Sequence, residues 1–309
     1  MSIYSAPAKI ILFGEHAVVY GKPAIAAPVP DLRAFAVTRS AEPGQGLIIR
    51  AVDFGHELSV GMAAEVDDAL VEMSQRVLRH LDVAPPDALI ELRSDIPIAS
   101  GLGSGAAISA ALARALAAYC GRTLSTEALN GLVYALEQRH HGTPSGIDNT
   151  VVVYEMPILF RGPNDFQPFH AGSPMRIIIG DTGVRAPTKD SVGDVRKLYK
   201  REREAVQAKL DAIGEGVEAA RRALETGDLV TAGRLMVENH GLLSELTVSS
   251  AELDRLVEAA LAAGALGAKM SGGGRGGNMI ALVTPETEEQ VQQALVDAGA
   301  VRIWATEVR

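Results

Sequence analysis

A single cysteine, Cys120, in a chain of 309 residues leaves no pair for an intramolecular disulfide. That excludes a disulfide-stapled secreted scaffold and predicts a reducing compartment. Cys120 follows the apolar stretch Ala110–Tyr119 and is expected to be a small buried hydrophobe. Long hydrophobic runs are also missing. The longest, Ala106–Cys120, is interrupted by Arg114 and is too short to span a bilayer. The opening Met-Ser-Ile-Tyr-Ser-Ala-Pro has no basic segment followed by an apolar one, so no signal peptide is expected. Together these absences predict a soluble, cytoplasmic protein with no membrane partner. Basic charge is scarce as well: 29 Lys and Arg stand against 38 Asp and Glu, for a net charge of −9. No segment offers a footprint for a phosphate backbone, so no nucleic-acid partner is expected. A negative protein that takes a negative ligand must use local devices such as backbone amides, single lysines or a metal.

What is present is ordinary for a globular chain, 47% apolar and 22% charged, and long enough for two domains. The first hundred residues read mostly as strands, at Ile3–Phe13, Arg33–Arg39, Leu47–Val52, Glu57–Val60 and Ala88–Arg93. One helix is expected over Val66–Leu81, where positions 66, 69, 70, 73, 77 and 81 are apolar at helical spacing. A glycine-rich turn at 100–105 opens an Ala-rich helix to about Tyr119. Ser125 is read as the N-cap of a helix to about Arg139. A polar loop over His140–Asn149 and strands at Val151–Tyr154 and Ile158–Phe160 follow. Gly162–Pro174, dense in Pro and Gly, reads as the linker between domains at 1–165 and 172–309. Beyond it come a strand at Arg176–Ile179 and helices at Val192–Ile213, Gly216–Leu224, Leu229–Leu243 and Ala251–Ala263, the last with Ser249 and Glu252 as a capping box. A second glycine run, Ser271–Gly277, is read as ending a helix and leading into strand Met279–Val283. A helix with Pro285 at its first position and a strand near Val301–Glu307 close the chain. Strand and helix clusters without βαβα alternation predict an α+β fold in two lobes.

Several segments carry chemistry. Gly101-Leu102-Gly103-Ser104-Gly105-Ala106 lets backbone approach an anion at the positive end of the following helix, or else is a tight strand-to-helix turn. Gly101, Gly103 and Ala106 also fit a loose dinucleotide fingerprint. The acidic residue that such a site needs about 20 residues on is missing, however, and Arg122-Thr123-Leu124-Ser125 stands there. The five glycines of the second run imply backbone packed against a ligand or another backbone, or a hinge. Lys9, among Ile10, Ile11, Leu12 and Phe13, either snorkels from an edge or points into a cleft. Gly14-Glu15-His16 follows at once. Glu137 and His140 have E-x-x-H spacing, but no second copy completes a carboxylate-bridged metal site. Asp148 is either a catalytic carboxylate or a cap of the following turn.

Taken together, Lys9 with Gly14-Glu15-His16, residues 97–107, and Lys269 through Asn278 resemble the GHMP kinase superfamily. Within it, Gly14-Glu15-His16-Ala17-Val18-Val19-Tyr20-Gly21-Lys22-Pro23-Ala24 and His141-Gly142-Thr143-Pro144-Ser145-Gly146-Ile147-Asp148-Asn149 resemble the mevalonate kinases. The resemblance implies a βαβ-rich N-terminal lobe with a left-handed crossover and a ferredoxin-like C-terminal lobe. It also implies transfer of phosphate from ATP, with Mg²⁺, to the 5-hydroxyl of mevalonate, and a homodimer. Pro97, Ile98, Ala99, Ser100, Gly101, Leu102, Gly103, Ser104, Gly105, Ala106 and Ala107 are then expected to wrap the ATP phosphates. Glu137 and Ser104 are expected to bind Mg²⁺, and Asp148 to sit by the attacking hydroxyl with Lys9 beside it. Glu15, His16, Thr182, Gly272 and Gly273 are expected to contact the acceptor. Two departures stand out. Gly105 occupies the place of a usual magnesium-ligating serine. Arg275 interrupts a run that is usually all glycine, where it would either contact phosphate or face solvent, and Asn278 replaces a usual cysteine.

Overall fold

The computed structural model describes residues 2–62, 67–97, 100–141 and 144–309. Its strands are β1 (Ser2–Phe13), β2 (Ala24–Ser40), β3 (Leu47–Ala51), β4 (His56–Val60), β5 (Ala88–Ser94), β6 (Ile158–Gly162), β7 (Asp165–Pro168), β8 (Met175–Asp181), β9 (Gly267–Ser271), β10 (Asn278–Val283) and β11 (Arg302–Val308). Its helices are α1 (Ala69–Leu81), α2 (Ser104–Tyr119), α3 (Thr126–His141), α4 (Ile147–Tyr154), α5 (Thr188–Arg201), α6 (Arg203–Thr226), α7 (Leu229–Glu245), α8 (Ala251–Ala262) and α9 (Glu288–Asp297). The chain divides into two compact units. The first comprises residues up to Ala8, Leu32–Ile98 and Leu102–Glu155; the second comprises Lys9–Asp31, Ala99–Gly101 and Met156–Arg309. Ile98, Ala99, Gly142, Thr143 and Val66, all named above, lie outside the described residues.

In the first unit β3 and β4 form an antiparallel hairpin, β3 runs parallel to β5, and residues 34–40 of β2 pair antiparallel with β5. Along β2 buried positions alternate from Leu32 to Thr38, the period-two pattern of a strand with one covered face. Helix α2 packs against α1, α3, α4 and β5. Its alanines at 106, 107, 110, 111, 113, 115 and 117 are all buried. Small side chains all round let neighbours approach from every side, as befits a central helix. Ser125 caps α3 as the sequence suggests, its Oγ accepting from Ala128, and Asp68 caps α1 by accepting from the N–H groups of Leu70 and Val71.

In the second unit Ala24–Ala26 of β2 pair with β6, which pairs with β7. A separate four-stranded antiparallel sheet has the order β11-β8-β10-β9. Taken in chain order from β8, that is 4-1-3-2, the ferredoxin-like arrangement. Helices α7 and α8 pack on β9, and α9 packs on β8.

The structure corrects several sequence expectations. Val151–Tyr154 is the end of helix α4 and not a strand. The penalty of β-branched residues in a helix is small, and all three valines gain burial there. Thr150 also donates its hydroxyl to the Gly146 carbonyl at 2.7 Å, within the first turn. The second glycine run follows strand β9 and not a helix, so it is the turn of a β9–β10 hairpin. The supposed linker contains β7. The long helical stretch breaks at Glu202 and continues unbroken through Gly214 and Gly216, because one glycine in a well-packed helix costs only about 1 kcal/mol. Ser250, not Ser249, caps α8, and Pro285 precedes α9 rather than opening it. Cys120 is only half-buried, since it stands at the C-cap of α2.

Candidate active site

The second unit gathers a buried polar group around the end of β1. Lys9 is 4% exposed in a strand stretch otherwise filled by apolar neighbours, so it does not snorkel into solvent from an edge. The chain then turns at Gly14, where φ is +94° and a Cβ would lie 2.5 Å from the Cα of Ala24, so only glycine fits. The turn delivers Glu15 and His16 inward, followed by a short 3₁₀ helix at Ala17–Tyr20. Glu15 and Lys269 are both fully buried and form an ion pair, and the ammonium of Lys269 also donates to the Met270 carbonyl at 2.7 Å. Burial pushes the Glu15 carboxyl above its usual range, with Lys269 and Lys9 pulling against it. The same burial draws Lys269 below the usual lysine range, against the pull of Glu15. Glu15 Oε2 has no partner among the described residues.

His16 holds φ +60° and ψ −43°, uncommon for a residue with a Cβ, at the middle of a tight turn that the Ala17 N–H closes onto the Glu15 carbonyl at 2.7 Å. Its Nε2 lies 3.0 Å from the Gly273 carbonyl. A carbonyl only accepts, so Nε2 carries the hydrogen. Burial, with Arg275 and Lys269 nearby, lowers the imidazole to about 4 from 6.5, while the bond to Gly273 opposes that shift. His16 is therefore neutral near pH 7, with Nδ1 as an acceptor.

The glycine hairpin closes over these groups through a set of fixed bonds. Ser271 Oγ donates to the Ile11 carbonyl at 2.9 Å and accepts from the Ile11 N–H at 3.1 Å. Thr182 donates both its N–H and its hydroxyl to the Gly277 carbonyl, each at 2.9 Å. At Gly274 a Cβ would stand 1.9 Å from the Val248 carbonyl, so part of the run is backbone packed on backbone. Arg275, its side chain 33% exposed, pairs with Asp194 of α5, and its Nε donates to the Thr247 carbonyl at 3.3 Å. Asn278 is buried and donates from Nδ2 to the Ser100 carbonyl at 2.6 Å.

The first unit holds Pro97, residues 102–107, Glu137 and Asp148, whereas Ser100 and Gly101 belong to the second. Gly103, at φ +75°, precedes α2, whose first turn contains Ser104, Gly105, Ala106 and Ala107. A Cβ at Gly105 would lie 3.4 Å from Oε1 of Glu137 on α3, so that carboxylate stands over the first turn of α2. The Glu137 carboxylate and the Ser104 hydroxyl are oxygen donors of the kind Mg²⁺ takes, so these two residues could hold the ion. Asp148 lies in the first turn of α4, rather than in a loop. His140 does not join Glu137. It bonds Glu72 at 3.1 Å, where Arg76 and Arg139 also converge. Among the described residues no group of three or more His, Cys, Asp or Glu has metal-site geometry, and no helix is long and apolar enough to cross a membrane.

Sequence reasoning did not give Lys269 a role of its own. Its signal was the one that marked Lys9, a lone lysine inside an apolar strand, but the unrecognised β9 hid it.

Comparison with known proteins places the chain in a family. The family "GHMP kinases N terminal domain" matches residues 68–155, and "GHMP kinases C terminal" matches residues 220–301. The mevalonate kinase of Pyrococcus furiosus is 38% identical over 96% of this chain and 93% of its own. The crystal structure of L. major mevalonate kinase in complex with R-mevalonate superposes with a TM-score of 0.85 at 31% identity, covering 100% of this chain and 96% of that one. That of the Methanococcus jannaschii mevalonate kinase gives 0.88 at 26% identity, covering 100% and 98%. The chain belongs to the GHMP kinase family.

Proposed function

We propose that the protein transfers the γ-phosphoryl group of ATP to the 5-hydroxyl of mevalonate, giving ADP and 5-phosphomevalonate. The observation that carries this reading is the buried set Lys9, Glu15 and His16 under the glycine hairpin, in a chain alike over its length to mevalonate kinases. Phosphoryl transfer asks chiefly for in-line positioning and for neutralisation of charge spread over the phosphate oxygens. In this reading residues 97–107 wrap the phosphates, and the unpaired N–H groups at the start of α2 face them. Glu137 and Ser104 would hold Mg²⁺, which when bound neutralises phosphate charge. Asp148 orients the acceptor hydroxyl and takes its proton, and Lys9 is the second catalytic residue of this reading. Neutral His16 offers Nδ1 as an acceptor to the substrate, and Glu15 and Thr182, with Gly272 and Gly273, shape the rest of its seat. A homodimer belongs to the same reading.

The test is ADP release over mevalonate, phosphomevalonate, homoserine and galactose, with the product's phosphate position read by phosphorus NMR. Mevalonate should be preferred and phosphorylated at the 5-position; a 3-phosphate, or preference for another acceptor, sinks the assignment. Asp148→Asn should fold normally and lower kcat by about 10²–10⁴-fold. Near-full activity in that variant would remove Asp148 from the reacting centre.

A further inference from the structure

Asn278 opens β10 at a point where the proposed reaction gives it no part. Its backbone is held from both sides in the four-stranded sheet, paired in register with Asp181 on β8 and Ser271 on β9. The preceding carbonyl, of Gly277, is fixed by Thr182. The side chain is 2% exposed. It is therefore a donor on a rigid mount, and its Nδ2 donates to the Ser100 carbonyl. Gly277 approaches the same carbonyl, which lies 3.8 Å from where its Cβ would be. Ser100 and Gly101 accordingly belong by contact to the second unit, whereas Leu102–Glu155 belongs to the first.

We propose that Asn278 is a positioning residue for the phosphate-binding loop. The physical link is the peptide plane. The carbonyl of Ser100 and the N–H of Gly101 share one planar unit and point in opposite directions. A donor that pins the carbonyl therefore aims the Gly101 N–H away from the hairpin. Drawing electron density toward the carbonyl also makes that N–H a stronger donor, the cooperativity expected of chained hydrogen bonds. Gly101 and Gly103 both take positive φ, so successive N–H groups here can converge on an anion in the manner of a backbone nest. Asn278 thus sets the loop's aim before nucleotide arrives, and the ligand class that it serves is the polyphosphate of a nucleoside triphosphate. Replacing the amide with an apolar group of similar volume removes the aim and leaves the sheet intact.

This inference rests on the nucleotide use proposed above, and its test separates the two. Asn278→Leu and Asn278→Asp are compared with the unmodified protein. Leu keeps the volume; Asp keeps the shape and loses the donor. Affinity is measured by calorimetry with a non-hydrolysable ATP analogue and Mg²⁺, loop order by hydrogen exchange of the nucleotide-free protein, and KM for each substrate by turnover. The expected result is analogue affinity weakened about tenfold, equivalent to about 1.4 kcal/mol. KM for mevalonate should stay within about twofold, and exchange should quicken at residues 100–103 alone. Unchanged affinity and unchanged loop exchange in a folded Leu variant would overturn the proposal. So would quickened exchange spread through β8, β9 and β10, which would make the bond a fastening of the sheet. If the unmodified enzyme fails to phosphorylate mevalonate, the earlier reading falls, while affinity and exchange still decide this one.

Discussion

Removing the ammonium of Lys269 strands the Glu15 carboxylate in a place neither side chain shares with solvent. Breaking one half of such a pair costs far more than the pair itself contributes, about 3–5 kcal/mol. Lys269→Met should therefore lower unfolding free energy by that amount in urea titration. Adding Glu15→Gln should restore much of the loss, because no buried charge is left uncompensated. Equal stability of the single and double variants would contradict the pairing. Gly105 makes the opposite kind of residue-scale case, a place with room. Its φ is not positive, and an added Cβ would meet only Glu137 Oε1, at ordinary contact distance. Gly105→Ser should fold normally and place a hydroxyl beside that carboxylate. Mg²⁺ titration at saturating ATP and mevalonate should then show a several-fold lower requirement for half-maximal rate, since one oxygen ligand replaces a retained water. An inactive, folded serine variant would show that the space itself is needed.

Among elements, the β9–β10 hairpin separates two meanings of glycine. Gly272 and Gly274 both have positive φ, but a Cβ at Gly272 meets nothing within 4 Å, whereas at Gly274 it would overlap the Val248 carbonyl. Gly272→Ala should cost only the left-handed backbone penalty, about 1–2 kcal/mol. Gly274→Ala should cost clearly more, because backbone must shift. Thermal melts of the two variants check the order, and equal losses would refute it. The same hairpin marks the limit of what the sequence disclosed. Helices α1, α2 and α3 and the Ser125 cap were legible because periodicity and cap chemistry act locally. The motif residues 14–16 and 101–107 were legible because glycine spacing is itself the signal. Strand β9 was not, since Gly-Ala-Lys-Met-Ser places a lysine where a strand buried on both faces should be apolar. Only a carboxylate 254 positions away in sequence makes that burial tolerable. Helix α4 was missed for a related reason: three consecutive valines favour a strand locally, and burial of the helix overrides them. The role of Arg275 was open in sequence because its partner, Asp194, lies on another element.

At the scale of the whole molecule, His16 shapes the dependence of stability on pH. Its folded-state pKa of about 4 lies below the ordinary 6.5, so the unfolded chain takes up a proton that the folded one refuses. This contribution is complete above pH 6.5 and is lost as pH falls toward 4; at pH 4.5 the loss is about 2–3 kcal/mol. His240, also lowered by burial, adds in the same direction. His16→Asn keeps a polar side chain of smaller size and removes the titration. Its drop in unfolding free energy between pH 7 and pH 4.5 should be smaller than that of the unmodified protein by about that amount, and an equal drop would refute the assignment. The division of the chain also constrains how the molecule is made. Lys9–Asp31 leaves the ribosome early, yet it packs with Met156–Arg309, and the two bonds between Ile11 and Ser271 span 260 positions. At translation rates of about 5–20 residues per second, the early segment waits on the order of ten seconds or more before those partners emerge. For that interval Lys9, Glu15 and His16 are attached to a nascent chain with nothing to bury them, so chaperone demand should peak there and the second unit should become protease-resistant after the first.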